Sequence, residues 1–134
     1  MRIALISTPP QGQSLPDYVR SLAKGMESCG HQVDIINART DDAMRLAICD
    51  YIALVTAPAS LFSAQIPDII PRFLAAGNTG GKKSAAFVKK SGLRYKKALA
   101  NLMAVMEKEG MIINWSDFLL NAPHAEALGK CVGS

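Results

Sequence analysis

Cysteine is scarce in this chain and odd in number: Cys29, Cys49 and Cys131 lie far apart, and none belongs to a C-x-x-C or a His/Cys cluster. That excludes a disulfide framework and the usual zinc spacings, so the three read as reduced thiols and no metal is expected. Long apolar runs are missing as well. No stretch approaches the roughly 20 residues of a membrane-spanning helix, and "RIALI" is too short for the core of a secretory signal. The expectation is a soluble, cytoplasmic protein with no membrane contact. Charge is sparse at 19% and aromatic residues are sparser at 6%, against 49% hydrophobic residues. A chain of that balance favours a sheet covered on both faces. The two commonest nucleotide-binding motifs, G-x-x-x-x-G-K-[ST] and G-x-G-x-x-G, are also absent.

What is there is an alternation. Apolar runs of strand length recur at residues 2–7, 32–37, 51–56, 84–89 and 111–115, the last continuing toward Leu120 through a bent or bulged "SDFLLN". Each is followed by a polar turn and a segment of helical period, the pattern of a parallel sheet with crossover helices. The second run is the most polar and suits a sheet edge. The spacing predicts a helix over 15–28 with Ser14 as N-cap and Gly30 as its stop. It predicts a short helix over 41–48 with Thr40 as the capping residue and Asp41 and Asp42 in its first turn, and a third that Pro67 and Pro71 bend at its start and Gly77 ends. A long helix follows in "RYKKALANLMAVMEKEG", whose methionines are core packing. The tail "APHAEALGKCVGS" supports about two turns. At 134 residues one domain fits, 1–134, without disulfide or metal support.

In an open parallel sheet, ligands bind beyond the carboxyl ends of the strands. Three loops qualify: "STPPQGQS" after the first strand, "TAPASLFSAQ" after the third and "KKSGLRY" after the fourth. The first precedes a helix N-terminus, where N–H groups and the dipole favour an anion. Ser7, Thr8 and Ser14 add hydroxyls, and Gly12 permits close backbone approach. Pro9 and Pro10 carry no N–H, which leaves Gln11, Gly12, Gln13 and Ser14 as backbone donors. The residues alone leave two readings open, an anion cradle and a plain strand-to-helix turn.

The same loops carry a family resemblance. "STPPQGQS" resembles the G-S-P-R-x-G-[NQ]-[ST] phosphate loop of flavodoxin-like proteins of the NAD(P)H-dependent FMN reductase group. Ser7 stands for the first Gly, Thr8 for Ser, Pro9 for Pro, Pro10 for Arg, Gly12 for Gly, Gln13 for the amide and Ser14 for the last hydroxyl. "TAPAS" resembles G-S-P-x-[YF], "IPDIIPRFL" resembles V-P-x-x-[LVIM]-K-x-[FW]-[IL], and the stretch from Lys82 to Asn114 is similar to the family's fourth strand, glycine loop, helix and fifth-strand opening. The resemblance implies an α/β fold, a flavodoxin-like three-layer sandwich with a five-stranded parallel sheet in the order 2-1-3-4-5 and helices on both faces. It implies FMN as cofactor, with NAD(P)H as an electron donor, and electron or hydride transfer. The phosphate would sit on Ser7, Thr8 and Gln11 to Ser14. The ring would lie between Pro58, Ala59, Ser60, Leu61 and Phe62 on one side and Lys90, Ser91 and Gly92 on the other. Pro10 stands where the family has an arginine, and Ser60 where it has an aromatic, whose stacking is worth about 1 kcal/mol.

Other constellations fail. A receiver domain needs acidic residues where this chain has "STPP" and Thr56. His31 and His124 have no nucleophile or carboxylate near them in sequence, so no hydrolytic triad is visible and no catalytic residue is assigned. The net charge is +4, and seven of the fifteen Lys and Arg fall between Lys82 and Lys97. That cluster reads either as a solvated rim or as a surface for phosphate or an acidic redox partner protein; nucleic acid is disfavoured because only Phe87 and Tyr95 interleave it. A second function reading follows, a flavodoxin-like domain without flavin that acts as a binding or regulatory module through its basic loop. The short last helix predicts uncovered apolar surface and hence a homodimer, which the resemblance also implies.

Overall fold

The computed structural model describes residues 1–9 and 12–132. Five strands, β1 (Arg2–Ser7), β2 (Gln32–Asn37), β3 (Tyr51–Thr56), β4 (Lys83–Lys89) and β5 (Ile112–Leu119), form one parallel sheet in the order β2-β1-β3-β4-β5. Helix α1 (Asp17–Ser28) links β1 to β2. A 3-10 turn, Ala43–Ile48, leads to β3, α2 (Ile69–Gly77) follows it, α3 (Tyr95–Lys108) joins β4 to β5, and α4 (Ala122–Gly129) closes the described chain. The expected α/β three-layer sandwich and its strand order are therefore what the chain adopts. None of these helices is long and apolar enough to cross a membrane.

Period-two alternation sorts the strands into two cores. Ala4, Ile6, Ile52, Leu54, Ala86 and Val88 face the 3-10 turn, α2 and α3, with Phe73, Leu102 and Met106 above them. Ile3, Leu5, Ala53, Val55, Ala85 and Phe87 face α1 and α4, against Val19, Leu22, Met26 and Ala125. The polar strand β2 lies at one edge, as expected, and β5 at the other.

Three local expectations are corrected. Helix α1 begins at Asp17, with Pro16 in extended backbone (φ −61°, ψ 147°) as its N-cap and no side-chain cap; Ser14 stays in the loop. Proline's fixed φ fits it to open a helix, and that preference outweighs the Ser14 signal. The helix expected over 41–48 is a 3-10 turn beginning at Ala43, capped by the Asp42 carboxylate accepting from Met44 N–H at 2.9 Å. Asp41 is spent outside it, accepting from Asn37 N–H at 2.7 Å. The irregularity in β5 falls earlier than "SDFLLN": Ser84 pairs with Ile113 and Ala85 with Trp115, so Asn114 is the extra residue of a bulge. The Tyr51 hydroxyl donates to the Asn114 amide oxygen and anchors it.

The last helix is as short as expected, yet it packs on α1 through backbone. A Cβ built on Gly25 would lie 2.1 Å from the Glu126 carbonyl oxygen, and one on Gly129 would lie 2.3 Å from that of Leu22. Two glycines let the axes approach so closely that two turns suffice to bury Leu119, Ala125 and Val132. Apolar surface is left instead at the β5 edge, where Ile112 and Trp115 are exposed.

Gly25→Ala should lower stability by about 2 kcal/mol, because overpacking against backbone outweighs alanine's better helix propensity. Gly80→Ala, which meets only Glu109 O at 3.8 Å, serves as the tolerant control; thermal unfolding of the two variants reads the difference. Burial pushes the Tyr51 phenol up to about 12. The unfolded chain then ionises first, so folding stability is intact below pH 10 and falls as pH rises toward 12. Denaturant titrations of wild type and Tyr51→Phe across that window should differ in slope.

Candidate functional site

The carboxyl ends of β1, β2 and β3 open onto two adjoining cavities. One, of about 400 Å³, is lined by Ser7, Thr8 and Pro9 from β1 and its loop, Pro16, Tyr18 and Val19 from α1, Val55 to Ala59 from the end of β3, and Arg39 and Pro67. The other, of about 390 Å³, is lined by Pro9, Gly12, Gln13, Asn37, Arg39, Thr40 and Ile69. Pro9 and Arg39 belong to both.

Ser7 is the last residue of β1 and points, by alternation with Ile3 and Leu5, toward α1. It is only 2% exposed, and its Oγ has no hydrogen-bond partner among the described residues. A buried hydroxyl left unpaired costs about 1–3 kcal/mol, so its position on a cavity wall is chemically informative. Beside it, Thr8 and Thr56 share a hydrogen bond of 3.3 Å between their Oγ1 atoms. Thr56 ends β3 as Ser7 ends β1, which places three hydroxyls along one edge.

Gly12 has φ +81° with open space around its missing Cβ, a conformation other residues adopt only under strain. Gln13 and Gly12 are exposed on the second cavity; Ser14 is exposed and lines neither. Gln11 lies outside the described residues, as does Pro10. A cation that sequence reading did not find stands at this loop: Arg39, exposed beyond β2, donates from Nε to the Pro9 carbonyl at 2.8 Å. Tyr18 was missed for a different reason, since on α1 it reads as one more half-buried helix residue. Burial, with the Asp17 charge adding to it, pushes its phenol above the ordinary value.

The expected ring residues divide. Pro58 and Ala59 line the first cavity, whereas Ser60, Leu61, Phe62, Lys90, Ser91 and Gly92 stand outside it as a rim. That rim is tied together. Leu93 N–H donates to Leu61 O at 2.8 Å, and Gly92, at φ +71°, sits where a Cβ would be 3.1 Å from the Ser60 and Leu61 carbonyl oxygens. Asn101 of α3 donates its amide to Ala64 O at 2.9 Å, holding the same loop from below. Phe62 is 69% exposed, so an aromatic ring is available at the rim although Ser60 is not one.

The basic segment is not one patch. The Lys82 ammonium donates to Leu46 O at 2.6 Å and Cys49 O at 2.8 Å, capping the 3-10 turn at the far edge of the sheet. Lys89 donates to Leu120 O at 2.9 Å and lies 5.8 Å from the Tyr18 ring centroid, and Lys90 lies 5.6 Å from that of Tyr95. Among the described residues no group of three or more His, Cys, Asp or Glu could hold a metal ion. His124 is structural, accepting from Leu120 N–H at 3.2 Å.

Comparison with solved structures settles the architecture. A flavodoxin from the domain Archaea superposes with a TM-score of 0.75 at 19% identity, over 98% of this chain and 96% of that one. The chain has the flavodoxin-like fold. The two-electron reduced flavodoxin of Megasphaera elsdenii gives 0.72 at 15% identity over 96% of both chains, and a WrbA-like flavodoxin of Agrobacterium tumefaciens gives 0.66 at 14% over 98% and 94%. No protein-family model matches the sequence, and no curated protein matches it.

Ser7→Ala should stabilise the ligand-free flavodoxin-like domain by about 1 kcal/mol, because it removes an unpaired buried hydroxyl at little cost in volume. Urea unfolding measures this; a loss of stability would mean that the hydroxyl is already satisfied.

Proposed function

We propose that this chain binds FMN at the carboxyl edge of its sheet and serves in electron or hydride transfer, with NAD(P)H as electron donor. The observation that carries the reading is the Ser7 hydroxyl, without a hydrogen-bond partner among the described residues, on the wall of a cavity of about 400 Å³. Thr79 and Ser84 also bury hydroxyls without a partner among the described residues, but Ser7 is the one on the wall of this cavity, and the chain supplies other donors around it. Thr8 and Thr56 add hydroxyls, and Gly12, Gln13 and Arg39 offer backbone donors and a fixed cation, a set suited to a phosphate. Pro58, Ala59 and Tyr18 give the apolar and aromatic walls that hold a planar ring. The similarity in fold to a flavodoxin solved in its two-electron reduced form supports the redox class.

When bound, the flavin supplies two-electron chemistry; the protein supplies orientation, a surface that limits water, and charge. The protein's own task at the phosphate end is to replace hydration with hydroxyl, backbone and guanidinium donors. At the ring end, Lys89 and Lys90 place positive charge at the rim, which favours an anionic group nearby. A second reading, a flavin-free binding module acting through the basic loop, is favoured by the exposed apolar side chains Leu61 and Phe62 beside those lysines.

Titration with FMN, followed by quenching of flavin fluorescence, separates the two. Wild type should quench with micromolar affinity. Arg39→Ala should weaken FMN about tenfold while leaving riboflavin, which lacks the phosphate, unchanged, and Ser7→Ala should weaken FMN despite its gain in stability. Absence of quenching with every flavin would overturn the first reading and leave the second.

A further inference from the structure

We propose that the rim formed by the loop after β3 and the start of α3 is a docking surface for an acidic partner protein. The inference concerns the outer surface and does not depend on what fills the cavity.

Its centre is apolar. Leu61, Phe62 and Leu93 are 53%, 69% and 66% exposed. They are neighbours by construction, because the Leu93 N–H to Leu61 O hydrogen bond and the close seat of Gly92 on the Ser60 and Leu61 carbonyls join the two loops. Three large side chains held in water by ordered backbone mark an interaction site better than scattered ones do.

Its margin is cationic in a way that helix stability does not explain. Arg94 is the N-cap of α3, Lys96 and Lys97 stand in its first turn, no acidic residue accompanies them, and Arg94 makes no side-chain cap bond. The positive end of the helix dipole disfavours cations there, whereas Lys108 in the last turn sits where a cation helps. No carboxylate among the described residues pairs with the three. A local rule broken without local compensation points to a role outside the helix. An apolar centre with a charged margin is the anatomy of a protein interface, and the sign of the margin selects an acidic partner. A nucleic-acid strand fits less well. Tyr95 is engaged edge-on with Phe118 at 5.0 Å between centroids, which leaves Phe62 as the exposed ring of the rim rather than a series on which bases stack.

The test is fluorescence anisotropy with a fluorescein-labelled peptide of Asp, Glu, Leu and Phe, in parallel with backbone amide shifts of the labelled protein. Shifts should gather at residues 60–62 and 91–97, and affinity should fall with salt. Lys96→Glu with Lys97→Glu should weaken the peptide about tenfold or more, while Tm holds or rises, since acids suit the first turn of a helix. Phe62→Ser should weaken the peptide without changing the salt dependence, and Lys83→Glu at the opposite sheet edge should do neither. Unchanged affinity in the double variant, shifts located elsewhere, or tighter binding of a single-stranded DNA oligonucleotide than of the peptide would overturn the proposal. Flavin titration of the same variants is a separate readout, so failure of docking and failure of flavin binding are distinguishable.

Discussion

The structure depends on one constraint: the three middle strands are covered on both faces, so almost every side chain along them must be apolar. β3 is buried at all six positions, β1 at five of six and β4 at five of seven. In such a sheet a polar side chain is affordable only near a strand end, where a loop or a ligand can reach it. Ser7 and Thr56 are the last residues of β1 and β3, and both are buried. Ser84, the second residue of β4, is the corresponding buried polar group at the amino end, so the middle of each strand is left apolar by the same burial that stabilises the fold.

The last helix, α4, spans only eight residues and must still cover its part of the sheet. The solution lies in close approach rather than length. Gly25 and Gly129 remove side chains from the crossing of α1 and α4, so α4 gains contact per turn that a longer helix with larger residues would spread over several turns. α1 is thus fixed from two sides, by the sheet below and α4 beside it. Its N-terminal residues Tyr18 and Val19, which wall the cavity, inherit that rigidity.

The strands were legible because each is a compact apolar run bounded by polar turns; β1, β2 and β3 begin and end where the pattern places them. The helix starts were less so, because two capping signals two residues apart compete at Ser14 and Pro16, and neither propensity nor spacing ranks them. Ser7 and Thr8 could be named from sequence because a strand end is a local fact. Arg39 could not, since its bond to Pro9 O spans 30 residues and follows from parallel pairing of β1 with β2. The seven cations clustered in sequence divide in space. β4 carries the chain from one edge of the sheet to the other, so Lys82 and Lys97, close in sequence, serve opposite ends of the molecule.

Where Arg39 stands bears on what the site proposed above could do. An arginine on the loop itself would move with that loop. Arg39 instead stands exposed beyond β2, and its Nε hydrogen bond to Pro9 O biases the guanidinium orientation and leaves the terminal nitrogens without hydrogen bonds among the described residues. A cation oriented before any ligand arrives loses less entropy on binding than a free one. It also couples the two loops: displacing Pro9 would turn the guanidinium, and an anion held by the guanidinium would steady Pro9. Beside a proline-containing turn with few N–H donors of its own, an anion bound under the proposed function would meet chiefly that one side chain and the short backbone stretch around Gly12.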